Sequence, residues 1–347
     1  MSQSATPSPA PARNGSVALV LCAAVLVAAA LAIGRSVFEP VAFAIFLVAL
    51  VWPLQRLLMR HLPAGLALII TMLGTLAVLA LFAFGAAWSV GQLGGWLVAN
   101  FGRVQTLYVD ATGWLEAQGL LVDGVTSNRL APSTVISVLQ TIALRLSDTT
   151  GFIMLAFVFV VLGLLEVETI ARRLRALAGE DWDPAATGAS IAFKFQSYMR
   201  VRGVASLMTG GATALFAYAI GLQLPLAWGM LAFILNFIPF IGPLIVVVPA
   251  MIFAAVQFGS WQMVVVVAGG LTAIQFVIGS YLEPIMAGTA VSVSPFLVLL
   301  SVFLWGFLWG IPGAFIGVPM TIAMLTICEQ RPATRWIADL LAGPEKK

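Results

Sequence analysis

The sequence predicts an all-α, polytopic membrane protein. About six full transmembrane helices are joined by two helical pairs broken by proline and glycine, giving eight or more membrane segments. Three observations carry this. Of 347 residues, 61% are hydrophobic and only 9% charged, with a mean hydropathy of +1.05; soluble domains carry roughly 25% charged residues. Apolar runs close to the roughly 17–25 residues a spanning helix needs recur along the chain. Between 227 and 317 such runs are interrupted: LAFILNFIPFIGPLIVVVPA at 231–250, IQFVIGSYLEPIMAG at 274–288 and SPFLVLLSVFLWGFLWGIPGAFIGVP at 294–319. Backbone freed from helical pairing inside a bilayer is tolerated only where it is buried in protein or lines a wet cavity. In transporters such broken helices mark the substrate or ion site.

Composition narrows the function classes. The net charge of +3 reflects loop arginines rather than a face for nucleic acid. Cys22 and Cys328 lie in apolar segments, so they form no disulfide framework, and no spacing resembles a zinc site. The single histidine, His61, stands at a helix end beside Arg56 and Arg60 and reads as interfacial. No GxSxG, HExxH, P-loop or Cys-His pairing is present. The chain therefore reads as no enzyme, with no cofactor and no metal, and any transport would be secondary or passive. A membrane scaffold needs no site and stands as an alternative.

Taken in order, residues 1–16 are rich in Ser, Pro and Ala and read as a disordered cytoplasmic tail. Residues 17–90 hold three spans, at 17–34, 37–59 and 64–90. A cleaved signal peptide behind Arg13 is the rival for the first, but further spans follow at once. Glu39 and Pro40 fall in the first turn of the second, where proline's missing N–H has no partner to lose. From 91 to 148 charges of both signs return. Leu93, Leu97, Phe101, Val104, Tyr108, Ala111 and Leu115 recur at three- and four-residue steps and describe one amphipathic helix. Val135, Val138, Leu139, Ile142 and Leu146 describe a second, beyond a loop from Gly119 to Pro132. This insert is too short for an enzyme domain with its own sizeable core. Residues 149–222 hold spans four (149–169) and five (203–222) around a polar stretch from Gly179 to Arg202. Glu168 and Arg172 there stand in the favourable i,i+4 order, and Gly203, Gly210 and Gly211 allow close helix contact. Residues 223–328 form the core with broken helices, and 329–347 a cytoplasmic tail.

Lysine and arginine fix the expected orientation. Arg56 and Arg60, then Arg172, Arg173, Arg175, Lys194, Arg200 and Arg202, then Arg331, Arg335, Lys346 and Lys347 share one side if both termini are cytoplasmic. The 91–148 insert is then extracytoplasmic. The run 224–238 would be about 22 Å long at 1.5 Å per residue, short of the roughly 30 Å hydrocarbon core. With 244–258 it reads as a broken pair turning at Pro239 to Pro243. A full span at 261–282 follows, and 295–328 is a second broken pair turning near Gly310-Ile311-Pro312-Gly313.

Within this core, Asn236 lies three residues before Pro239, and its amide is placed to satisfy a carbonyl freed by that proline or to coordinate a ligand. Pro239, Pro243 and Pro312 lack amide donors, so nearby carbonyls must find side chains, water or a cation. Glu283 ends a long apolar segment; an ionisable group within a membrane is a functional candidate, and an interfacial role at a helix end is the alternative. If it reaches the cavity it could carry a proton against the solute. Gln257 and Gln275 read as interhelical hydrogen-bonders, and Gly306, Gly310, Gly313 and Gly317 as close-packing positions. The expected route for a small polar solute or cation lies near the bilayer midplane, between the 231–250 and 300–319 breaks.

The strings LNFIPFIGP, LEP followed by Gly288 and Pro295, and FLWGFLWGIPGAFIGVPMTI resemble the signature of the autoinducer-2 exporter (AI-2E) family over about 190–330. The resemblance implies a multi-pass protein of the bacterial inner membrane, a homo-oligomer, associated with export of autoinducer-2 or with cation(Na+)/proton antiport. It places Pro239, Gly242, Pro243, Glu283, Pro284, Gly288, Pro295, Gly310, Gly313 and Pro319 at motif positions. One departure stands out. The family often carries basic residues after the Glu-Pro pair, whereas Ile285 and Thr289 occupy those places here.

Overall fold

Proline and short polar side chains set where the helices begin. In a computed structural model, which describes residues 13–119, 132–177, 183–287, 294–330 and 334–341, Pro184, Pro225 and Pro295 each open a helix. Proline suits that position because its missing N–H would be unpaired anyway. The Asp183 carboxylate accepts from the Ala185 and Ala186 amides, and the Ser294 hydroxyl from the Leu297 amide. In sequence order the helices are α1 (Arg13–Ile33), α2 (Arg35–Leu58), α3 (Ala64–Ala99), α4 (Phe101–Ala117), α5 (Pro132–Leu177), α6 (Pro184–Ala219), α7 (Pro225–Leu235), α8 (Ile241–Phe258), α9 (Trp261–Val277), α10 (Glu283–Ala287), α11 (Pro295–Glu329) and α12 (Arg335–Leu341). A π-helical turn, Ile278–Leu282, joins α9 to α10. Among the described residues there is no strand.

Six of these stretches are long and apolar enough to cross a membrane: Arg35–Leu58, Ala64–Ala99, Gly151–Leu177, Ile241–Phe258, Trp261–Met286 and Pro295–Glu329. The all-α polytopic class follows from these. α1 contributes the shorter apolar stretch Cys22–Ile33, and α7 is equally short. Helix α6 stands outside the apolar set because Lys194, Arg200 and Arg202 lie within it. The polar stretch expected to end at Arg202 is thus mostly helix, and a helix starting at Pro184 carries its charges into the bundle.

Two further boundaries differ from the sequence reading. The apolar periodicity from Leu93 to Leu115 spans two helices, because α3 ends at Ala99 and Asn100 interrupts before α4. The Asn100 amide turns back to the Trp96 carbonyl at 2.9 Å. The second insert helix and span four are one 46-residue helix, α5. The loop between the insert helices, the tail up to residue 12, Gly288 and Thr289 lie outside the described residues.

At about 1.5 Å per residue, α5 is roughly twice as long as a hydrocarbon core is thick, so a good part of it must extend beyond that core. Val109 on α4 and Leu177 at the end of α5 are 59% and 85% exposed. Cysteines placed there, in a background of Cys22→Ser and Cys328→Ser, should react with an impermeant thiol reagent from opposite sides of sealed vesicles. Reaction of both from one side would overturn the expected orientation.

The buried residues form two clusters. One joins α2, α5, α6 and α11 through Phe46, Val160, Phe195, Tyr198, Val302, Trp305 and Ile316. The other joins the end of α6 to α7, α8 and α9 through Ala217, Trp228, Ala232, Val246, Phe253, Val267 and Leu271. Helix α6 passes from Tyr198 in the first cluster to Ala217 in the second, and the segment between is the seam of the protein.

Both broken segments fold back as helical hairpins. The first turns at Asn236–Phe240, between α7 and α8. Phe240 has φ 62°, and a Cβ on Gly242 would stand 1.9 Å from the Leu235 carbonyl oxygen, so only glycine lets the arms approach. The second turns inside α11 at Gly310, with φ 67° and ψ −143°. Its arms run antiparallel, the Trp305 indole donating to the Thr321 hydroxyl at 3.3 Å.

Candidate functional site

Every fourth residue along one face of α6 is polar: Lys194, Tyr198, Arg202 and Ser206. A four-residue step keeps side chains on one face of an α-helix. That face turns inward, and Arg202 is only 7% exposed. A buried guanidinium needs acceptors for its fixed fork of donors, and three elements supply them. Its Nη1 lies 3.1 Å from Glu283 Oε2 and donates to the Asn236 carbonyl at 3.3 Å, while its Nε donates to Tyr198 Oη at 3.3 Å. The guanidinium carbon also stands 5.8 Å from the centre of the Tyr198 ring. The Asn236 amide donates to Ser206 Oγ at 3.1 Å.

Local breaks deliver each partner. Helix α7 ends just before Asn236, and Phe240 leaves the helical region. The Asn236 carbonyl thereby loses the amide that would pair with it in a continued helix, and Arg202 takes that place. On the other side, Pro284 has no N–H for the carbonyl of Ser280. The wide turn Ile278–Leu282 falls on this stretch and carries the chain into Glu283; such π-turns are frequent at functional sites. The Glu283 side chain is 21% exposed, against 9% for Arg202.

The arrangement corrects two readings of the sequence. Asn236 was expected either to satisfy a freed carbonyl with its amide or to coordinate a ligand; its side-chain amide goes to Ser206, and its own carbonyl is the freed one. Arg202 was counted among loop charges; it is a buried ion-pair partner. It also supplies positive charge next to the Glu-Pro pair, whereas Ile285 just beyond the pair is 74% exposed. The signal for Arg202 was its four-residue spacing from Tyr198 and Ser206.

The other candidate positions build the turns. Pro239, Gly242 and Pro243 shape the first; the Pro239 carbonyl accepts from the Ile241 amide at 2.7 Å, and the Ile238 carbonyl from the Gly242 amide at 3.1 Å. Gly310, Pro312 and Gly313 shape the second, and Pro319 is buried in its return arm. The turns meet through aromatic rings: Phe237 stacks on Phe315 with centroids 5.5 Å apart. Polar groups collect instead on the α6 side of Asn236. Gln257 ties α8 to the connection between α6 and α7 rather than to another helix, accepting from the Gln223 amide at 2.9 Å and donating to the Gly221 carbonyl at 2.7 Å. Farther along α6, Lys194 donates to Thr326 at 3.0 Å and pairs with Glu329 at 2.8 Å on α11. Among the described residues no three His, Cys, Asp or Glu side chains are grouped to hold a metal.

Related proteins agree in kind. The sequence matches the family described as AI-2E family transporter over residues 19–332. It is 26% identical over 335 residues to the AI-2 transport protein TqsA of Escherichia coli K12, covering 95% of this chain and 96% of TqsA. It is 35% identical over 149 residues to a protein of Borreliella burgdorferi, provisionally named a transport protein, covering 43% of this chain and 41% of that one. YhhT of Escherichia coli K12, named in the same provisional way, is 32% identical over 217 residues, or 62% of this chain and 61% of YhhT. With the family match running through both broken hairpins and the buried ion pair, the chain is a membrane protein belonging to the AI-2E transporter family.

Proposed function

We propose that the protein is a secondary transporter of the bacterial inner membrane that moves a small polar solute, and that the solute meets it at Arg202, Glu283 and Asn236. The observation that carries this reading is a buried ion pair bonded to the carbonyl of a broken helix end. An ionisable pair is costly at such depth and marks substrate or ion pathways. It joins three separate elements, so a solute competing for either charge would loosen their contacts together. In this reading both termini are cytoplasmic, the chain works as a homo-oligomer, and a proton carried by Glu283 is the coupling ion. The name of TqsA makes AI-2 the first solute to assay.

Flux in proteoliposomes, with and without an imposed pH gradient, tests the roles. Glu283→Gln should lose pH-driven coupling while assembling normally, and Asn236→Ala should lower flux about tenfold, equivalent to roughly 1.4 kcal/mol in the barrier. Two variants that transport like the wild type would place the site elsewhere.

A further inference from the structure

Hydroxyls inside helices commonly donate to the carbonyl four residues back. Thr71, Thr75, Thr187, Ser301 and Thr326 all do so here, at 2.5–2.8 Å. Thr209 and Thr213 on α6 do not. They are 0% and 1% exposed, and neither hydroxyl has a hydrogen-bond partner. Threonine has two accessible rotamers in a helix, one of which reaches back to that carbonyl. In both residues the hydroxyl is buried and makes no such bond.

Their position gives this meaning. Arg202, Ser206, Thr209 and Thr213 follow one another by four, three and four residues, which keeps them within about 60° of the helix circumference. They continue the polar line of the ion pair for about 16 Å towards the end of α6 at Ala219. The line is flanked by close helix contacts. A Cβ on Gly210 would stand 2.7 Å from the Gly229 carbonyl of α7, and the Phe216 ring would lie 2.0 Å from one on Gly270 of α9. From 203 to 219 the helix carries no charge, which suits an uncharged partner that both donates and accepts hydrogen bonds.

We propose that Thr209 and Thr213 line a water path that opens from the Arg202–Glu283 pair towards the Ala219 end of α6 when α6 parts from its neighbours, and that the structure holds this path closed. The proposal rests on the reading of that pair as the transport site. In the open form water satisfies both hydroxyls and brings the pair into contact with one face of the membrane.

Single cysteines test it. Thr209→Cys, Thr213→Cys and, as a control facing away from the interior, Leu207→Cys are made in the Cys22→Ser, Cys328→Ser background; Leu207 is 68% exposed. A thiol reacts as its thiolate, whose formation needs water. In sealed vesicles a sulfonated, impermeant methanethiosulfonate should modify Thr209→Cys and Thr213→Cys at least tenfold faster than Leu207→Cys, from the side to which Ala219 points. Equal rates at the three positions overturn the proposal. Should Thr209→Cys aggregate, Thr213→Cys one turn on carries the same expectation. Flux separates the two readings: Thr213→Val should lower it at least fivefold and Thr213→Ser should not. Labelling as expected with no wild-type flux of any tested solute would count against the transport reading and leave the water path standing.

Discussion

Removal of the Arg202 guanidinium is expected to damage the protein more than removal of the Glu283 carboxylate. Removing both should do less harm than removing the arginine alone. Arg202→Leu strands three acceptors at once: a carboxylate, the Asn236 carbonyl and the Tyr198 hydroxyl. Breaking a buried pair by deleting one partner costs about 3–5 kcal/mol, because the other charge stays behind, whereas replacing both by apolar groups is often neutral or stabilising. Glu283→Gln leaves the Arg202 charge unpaired but keeps its shape and an acceptor oxygen, and the residue is the more exposed of the two, so a smaller loss of about 1.5–3 kcal/mol is expected there. Thermal unfolding of the detergent-solubilised protein, followed by tryptophan fluorescence, gives the double-mutant cycle with Arg202→Leu and Glu283→Leu. Strictly additive losses would mean that the pair contributes no coupling. Arg202→Lys should rescue only partly, since a single ammonium cannot present the fork that reaches three acceptors.

The parts of this fold that the sequence revealed are those governed by local rules. Pro239, Gly242 and Pro243 announce a turn because proline removes donors and glycine permits close approach, and the hairpin turns there. The same holds at Gly310 to Gly313. Membrane-spanning length is equally local: the apolar stretches Arg35–Leu58, Ala64–Ala99, Gly151–Leu177 and Trp261–Met286 overlap the spans expected around 37–59, 64–90, 149–169 and 261–282.

What escaped was set by tertiary partners. Counting arginines by position treats each as a solvated loop charge, but whether Arg202 meets water or Glu283 depends on a contact between residues 81 apart. Asn236 was recognised as a polar residue at a break, yet its amide and carbonyl serve different neighbours, and only the packing of α6 decides which. The two hydroxyls of Thr209 and Thr213 look in sequence like those of Thr71 and Thr75, and only the folded hydrogen bonding separates them. Helix ends misled for a related reason. Asn100 barely interrupts the apolar period, so one stripe covers two helices, whereas the change of polarity near residue 149 falls inside the continuous α5.

The largest structural effect is expected from one added methyl group, in Gly242→Ala. The new Cβ would lie 1.9 Å from the carbonyl oxygen and 2.6 Å from the carbonyl carbon of Leu235. Both are backbone atoms, so no side chain can swing aside, and the first hairpin must open by more than an ångström. Its geometry has little room for that. Phe240 is already held at φ 62°, and the Gly242 amide donates to Ile238 across the turn. Opening would separate Trp228 from Phe253, whose rings meet edge to face at 5.4 Å in the second cluster. It would also turn the Asn236 carbonyl away from Arg202. Overpacking costs typically 1–3 kcal/mol and occasionally more; backbone against backbone places this variant at about 3 kcal/mol or above. Gly211→Ala supplies the contrast, because a Cβ there meets nothing within 4 Å, and replacing glycine inside a helix gains about 0.5–1 kcal/mol. Measured by thermal unfolding and by the fraction eluting as a single species, the two alanine variants should therefore move in opposite directions. If Gly242→Ala folds as well as Gly211→Ala, the first hairpin does not close as tightly as the structure places it.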